Sequence, residues 1–192
     1  SHFIHMLSKG NPTCFEVIKS PLFDKSFPLA EEIRSIFPVV INNKSCVSAH
    51  IGYADAQLKR YLIPFSDTVL QEDKTDKPLM DIFEDNKLRR TIKATVAAHR
   101  VMAQARQLLL TGDFKAVVKE YSEEFHNKLM AIKTLPIDQL DYSFLLNHRI
   151  DITTQIQDLK NLYFSLPEKE QNKKVDIDFI ENFLLRIHKI ES

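Results

Sequence analysis

Tyr53, Gln57 and Arg60 recur at spacings of four and three residues, which puts them on one stripe of a helix. The ring offers a flat stacking surface, the amide a donor and an acceptor, and the guanidinium a fork for phosphate. That trio suits a nucleotide. It equally suits a helix packed beneath a neighbour, and spacing leaves both readings open. A second group falls on the longest helical segment. At about 100° per residue, Leu88, Ile92, Val96, Met102, Ala103, Leu109 and Leu110 gather on one face, and His99 and Arg106 point into it. An arginine cannot shed its charge, so Arg106 in that position requires a carboxylate, carbonyl dipoles or an anionic ligand. A structural ion pair to a neighbouring helix, an anion pocket shared with His99, and a partly open face each meet that requirement. Lys93, Arg100, Gln104 and Gln107 form a flanking polar stripe with no acidic member, which reads as solvated surface or as a contact for phosphate.

The other chemistry-bearing residues exclude more than they suggest. The chain has no Ser/His/Asp grouping, HExxH pair, EF-hand loop or Walker glycine loop. None of the seven histidines pairs with another at a helical spacing suited to a metal, so metal binding by this chain alone is not expected. Cys14 and Cys46 belong to no CxxC or Cys/His ligand spacing, which suits a reducing compartment, and Cys14 reads as a small buried hydrophobe. Asn11 and Glu16 read as a helix-start pair rather than catalytic acids, and Arg89-Arg90 as solvated surface.

The elements that must position these side chains are helices. Only three glycines stand against 13 phenylalanines, which leaves little material for tight hairpins or phosphate-cradling loops. A hydrophobic share of 44% over 192 residues suffices for one proper core or two small ones. The 26 basic and 26 acidic residues cancel, so there is no strong nucleic-acid signal and no bulk attraction to a membrane. No apolar run approaches the ~20 residues of a transmembrane span, and the first residues lack the pattern of a signal peptide. A soluble cytoplasmic protein is expected.

Helices are expected over residues 3–7 (stopped by Gly10), from Asn11-Pro12 to Ser20-Pro21, from about Leu29 to Phe37, and from Tyr53 to about Leu70 with an interruption at Pro64. Val39-Val40-Ile41 reads either as a short strand or as part of a helix. The long helix runs from about Asp81 to Thr111 and stops at Gly112. Phe114, Val118, Tyr121, Phe125 and Ile132 then suggest one amphipathic helix. A further helix spans about Tyr142 to Phe164, broken by Ser165-Leu166-Pro167. The last, from about Asp176, places Ile177, Ile180, Leu184 and Ile187 on one stripe. The expectation is an all-α multi-helix bundle with at most a minor strand. It forms a single helical domain over 1–192, or two helical halves, 1–70 and 79–192, joined by the polar linker 71–78.

Several segments, in order, resemble a known family. They are Gly10-Asn11-Pro12-Thr13 with Glu16 and Ser20-Pro21, then Gly52-Tyr53-Ala54 with Gln57-Leu58-Lys59, then a Leu-rich helix ending in Thr111-Gly112. Leu129 to Lys133 and Ser165-Leu166-Pro167 follow. Together they resemble the helical C-terminal portion of the predicted nucleotidyltransferases of the DNA polymerase beta superfamily. The resemblance implies nucleotide transfer from a nucleoside triphosphate to an acceptor, with Mg²⁺ held by aspartates, and it favours substrate contacts from Lys93 and Arg100 and from Tyr53, Gln57 and Arg60, beside the His99 and Arg106 that the helix phase singles out. In that superfamily the chemistry begins on a Gly-Ser turn followed by paired aspartates on a strand, and this chain contains no Gly-Ser dipeptide. The catalytic core is therefore expected ahead of Ser1, with this chain inactive in isolation and holding no cofactor itself. The alternative is a non-catalytic helical interaction or regulatory module.

Overall fold

Gly10 and Asn11 turn the first corner. Helix α1 (His2–Ser8) closes in a Schellman arrangement, Gly10 N–H donating to the Leu7 carbonyl at 2.9 Å and Asn11 N–H to that of Met6 at 3.2 Å. Gly10 sits at φ +75°, and a Cβ there would lie 2.5 Å from Cys46 Cα. The position therefore needs glycine for its conformation and for the close approach of the fifth helix. Asn11 then accepts from Cys14 N–H at 3.2 Å and, with Pro12 in the first turn, starts α2 (Pro12–Lys19). The computed structural model describes residues 2–20, 30–120 and 122–190. Pro21, Leu29 and Tyr121, used in the expected boundaries and stripes, lie outside the described residues, as do the side chains of Leu184 and Ile187.

Short helices α3 (Ala30–Ser35) and α4 (Phe37–Val40) follow, so Val39 and Val40 are helical while Ile41 is extended. No strand occurs among the described residues. Asn42 caps α5 (Asn43–Gln57) by accepting from Ser45 N–H at 2.8 Å. Pro64 does not break the chain's helical course. It has no N–H for the Arg60 carbonyl, and the backbone widens into a π turn over Leu58–Leu62 in which Ile63 N–H bonds the Leu58 carbonyl. The helix continues as α6 (Ile63–Gln71). Beyond the linker, α7 (Asp85–Thr111) ends at Gly112, whose N–H still reaches the Leu108 carbonyl at 2.8 Å and whose φ of +72° then turns the chain out of the helix.

The single helix expected from Phe114 to Ile132 is instead a bent segment, a 3₁₀ turn at Val118–Glu120 and α8 (Glu123–Thr134). Ser122 starts α8 by accepting from Phe125 N–H at 3.1 Å, and Phe114 and Ile132 are buried in different cores. One stripe could not have served both. Helices α9 (Tyr142–Ser165), α10 (Glu168–Gln171) and α11 (Ile177–Ile190) complete the chain.

Two cores result. An aliphatic one joins residues from both sides of the 71–78 linker, among them Ala54, Leu62, Leu88, Ala98, Ala105, Ile152 and Leu159. The other is aromatic, with Phe15 edge-on to Phe37 at 5.0 Å and to Phe114 at 5.3 Å, and it includes Leu7, Ile18, Cys46, Leu108 and Phe183. Helix α7 contributes to both, so it is covered on two sides. That double coverage corrects the phase drawn from a single apolar face. Arg106 and Leu110 are exposed, while Gln104, expected on the polar flank, is fully buried.

Candidate functional site

Where α7, α8 and α9 meet, they line a half-open cavity of about 390 Å³. Arg106 and Gln107 reach it from α7, Ser122 and Phe125 from the start of α8, and Gln155 and Asp158 from α9, with Met102 and Ala103 supplying apolar lining. Arg106 lies on the exposed seam of α7 and makes no ion pair among the described residues. The cavity thus combines a free guanidinium, two carboxamides, a hydroxyl, a flat ring and one carboxylate. The guanidinium, the carboxamides and the hydroxyl can hold an anion, whereas the Asp158 carboxylate repels one and can accept from a donor group instead.

Gln155 leads from this cavity into the protein. Its amide nitrogen lies 2.9 Å from His99 Nδ1 and its oxygen 3.2 Å from the same atom. His99 Nε2 lies 3.0 Å from His148 Nδ1, and His148, Asp151 and Gln155 follow one another along a single side of α9. His99 is fully buried, and burial holds its imidazole below the ordinary value. Burial, together with the neighbouring His99, pushes His148 down to about 4. Both rings are therefore neutral at pH 7, and one proton is shared between facing nitrogens. Asp151 pairs with Lys128 at 3.4 Å on the solvent side.

The structure separates the sequence-derived site residues more than it gathers them. His99 touches the cavity only through Gln155. Arg100 is engaged by Glu16 at 3.2 Å, so it is not a free phosphate contact. Lys93 lines a different groove, with Arg89 and Lys133 beside Asp85 and Asp138. Tyr53 lines a shallow groove against His5, Lys9, Asn11 and Pro12, which brings the Gly10-Asn11-Pro12 corner and the Gly52-Tyr53 segment together. Gln57 is half-buried, and Arg60 is exposed with its guanidinium 5.6 Å from the Tyr61 ring. Arg106 alone of the seven opens onto the central cavity.

Sequence reasoning missed His148, Asp151 and Gln155. Their signal was the spacing of three and four along α9, but His99 stands 49 residues away and only packing reveals the meeting. It also missed His50, which is fully buried among Phe15 and Phe114 and holds the Cys46 carbonyl at 2.8 Å. Cys46 Sγ lies 3.4 Å from His50 Nδ1, yet burial drives the thiol far up and the imidazole down to about 4. That is the reverse of a reactive thiolate–imidazolium pair.

The Mg²⁺ arrangement of the polymerase beta superfamily does not fit the residues present. Asp176-Ile177-Asp178 is the chain's one Asp-x-Asp sequence, and it is a helix start. Asp176 accepts from Phe179 N–H at 2.9 Å and caps α11. No helix among the described residues is long and apolar enough to cross a membrane.

Among the described residues the fold is all-helical and carries no strand-borne carboxylate pair. The chain belongs to the RlaP family, the RNA repair pathway DNA polymerase beta family, whose model matches residues 1–186. No curated protein and no solved structure matches it.

Proposed function

We propose that this chain is the helical, substrate-binding portion of a nucleotidyltransferase that moves a nucleotide from a nucleoside triphosphate to an acceptor. The observation that carries this reading is the cavity at α7, α8 and α9, where Arg106, without an ion pair among the described residues, stands beside Gln107, Gln155 and the Phe125 ring. A guanidinium that makes no ion pair, although Asp158 lines the same cavity, is suited to a phosphate, and a ring there to a base. Membership of an RNA repair pathway DNA polymerase beta family supports the same substrate class. In this reading Tyr53, Gln57, Arg60 and Lys93 belong to outer surfaces that face the catalytic core or the acceptor. His99 and Arg100 hold α7 in place.

The test is a set of thermal melts with and without ATP, phosphate and sulfate. Wild type is stabilised by ATP, by about 2.7 kcal/mol at a hundredfold excess over Kd. Arg106→Met melts within about 0.5 kcal/mol of wild type without ligand, because the residue is exposed. The variant loses the stabilisation by ATP. Wild type that gains nothing from any of the three anions overturns the reading. The isolated chain is also expected to release no pyrophosphate from nucleoside triphosphates with Mg²⁺. Release abolished by a substitution in this chain would place the catalytic centre here instead.

A further inference from the structure

We infer that His99, His148 and Asp151 form a binding site for a divalent first-row transition metal, Zn²⁺ foremost, which clamps α7 to α9. One donor atom from each residue lies within 4.8 Å of the other two. His99 Nε2 and His148 Nδ1 already face each other at 3.0 Å. Two nitrogens bound to one tetrahedral ion at about 2.0–2.1 Å stand roughly 3.3 Å apart, so their separation need change by only a few tenths of an ångström while each ring pivots to turn its lone pair towards the ion. Asp151 must swing further. It is half-buried, and its partner Lys128 is half exposed, so a weak ion pair is all that is given up. Two imidazoles and a carboxylate suit a borderline ion and not a hard one such as Mg²⁺. Three protein donors leave a fourth position for water or a ligand oxygen.

Gln155 supplies the orienting partner such sites require. Both atoms of its carboxamide are within reach of His99 Nδ1. With the His99 proton on Nε2, the amide nitrogen donates to Nδ1; with it on Nδ1, the Gln155 oxygen accepts it. With metal, the proton moves to Nδ1 and is accepted by the Gln155 oxygen, which frees the Nε2 lone pair for the ion. The fully buried position of His99 keeps this exchange away from water. The site is independent of the phosphate reading of Arg106, and its test does not involve nucleotide.

The protein, stripped with a chelator, is titrated with Co²⁺ and then Zn²⁺, following the visible d–d bands and the heat of binding. One equivalent of Co²⁺ giving the intense bands of a four-coordinate site, displaced by Zn²⁺, is the expected result. His148→Gln and Asp151→Asn each weaken binding by more than about 100-fold, beyond the loss of an orienting partner, and Gln155→Leu by about 10- to 100-fold. His5→Gln and His126→Gln leave it unchanged. Should His148→Gln fail to fold, Asp151→Asn and Gln155→Leu decide the question by themselves. Absence of the bands, or binding indifferent to Asp151→Asn and Gln155→Leu, overturns the inference and leaves a hydrogen-bonded histidine pair only.

Discussion

His50 and His99 are both fully buried and both neutral, yet they sit in opposite kinds of surroundings. His50 belongs to the aromatic core. Its one strong partner is the Cys46 carbonyl a helical turn away, and its Nε2 has no partner among the described residues. It behaves as one more ring between Phe15 and Phe114. His99 belongs to the aliphatic core and has both nitrogens engaged, each by a residue of another helix. Those partners run outward, to the α7–α8–α9 cavity through Gln155 and to Asp151 beside His148. Burial alone does not distinguish a packing histidine from one placed for chemistry. What separates them here is whether the partners are local or tertiary, and whether they lead to a space a ligand can enter.

The comparison is broken most severely from the aromatic side. Phe15→Ala removes the ring that contacts Phe37, Phe114 and His50 together, at an expected cost of about 3–5 kcal/mol in urea unfolding. A loss below about 2 kcal/mol would mean that this core collapses around the vacancy.

Acid sharpens it next. The folded value of His50 is about 4 against an ordinary 6.5. Between those values the unfolded chain binds a proton that the native state refuses, so stability falls as pH drops from 6.5 towards 4. The expected total is about 3 kcal/mol, with no contribution above that window. His50→Leu should reduce the slope across this range without abolishing it, because His148, also held at about 4, titrates there too; the wild-type-minus-variant difference in unfolding free energy reads the His50 share. A variant whose profile keeps the full wild-type slope would assign the titration to other groups.

Gln155→Leu probes the other histidine. It strips His99 Nδ1 of its partner while leaving the ring buried, so about 1–3 kcal/mol of stability should be lost. An unchanged melt would show that His99 tolerates an orphaned nitrogen as His50 does, and the distinction between the two would fail.

The smallest expected effect is a gain. Gly52 lies in the middle of α5, and a Cβ added there would meet nothing within 4 Å, so Gly52→Ala should stabilise by about 0.5–1 kcal/mol. Gly10→Ala, at a left-handed φ with the Cys46 backbone in the way, should do the opposite and by more. Matched chemical denaturation curves of the two variants give the sign directly.

Much of the fold was legible in the sequence because its signals are local. Asn11-Pro12 starts a helix, Gly112 ends one, Ser165-Leu166-Pro167 breaks one, and each acts through bonds to residues at most a few positions away. The polymerase beta resemblance rested on a longer ordered set of segments that includes Gly52-Tyr53-Ala54 and Leu129 to Lys133. Periodicity failed where a helix is covered twice. Because α7 serves two cores, no single apolar stripe describes it, so Arg106 came out into solvent and Gln104 went in. Phe114 and Ile132 likewise share a spacing but not a core. The meeting of His99 with His148, Asp151 and Gln155 depends on how α7 crosses α9, a long-range packing relation that neither helix encodes alone. The residue types, the caps and the helical class were determined by the sequence. Which polar groups face each other, and which face a cavity, was decided by tertiary packing, because burial and hydrogen-bond partners are properties of neighbours in space and not of neighbours in the chain.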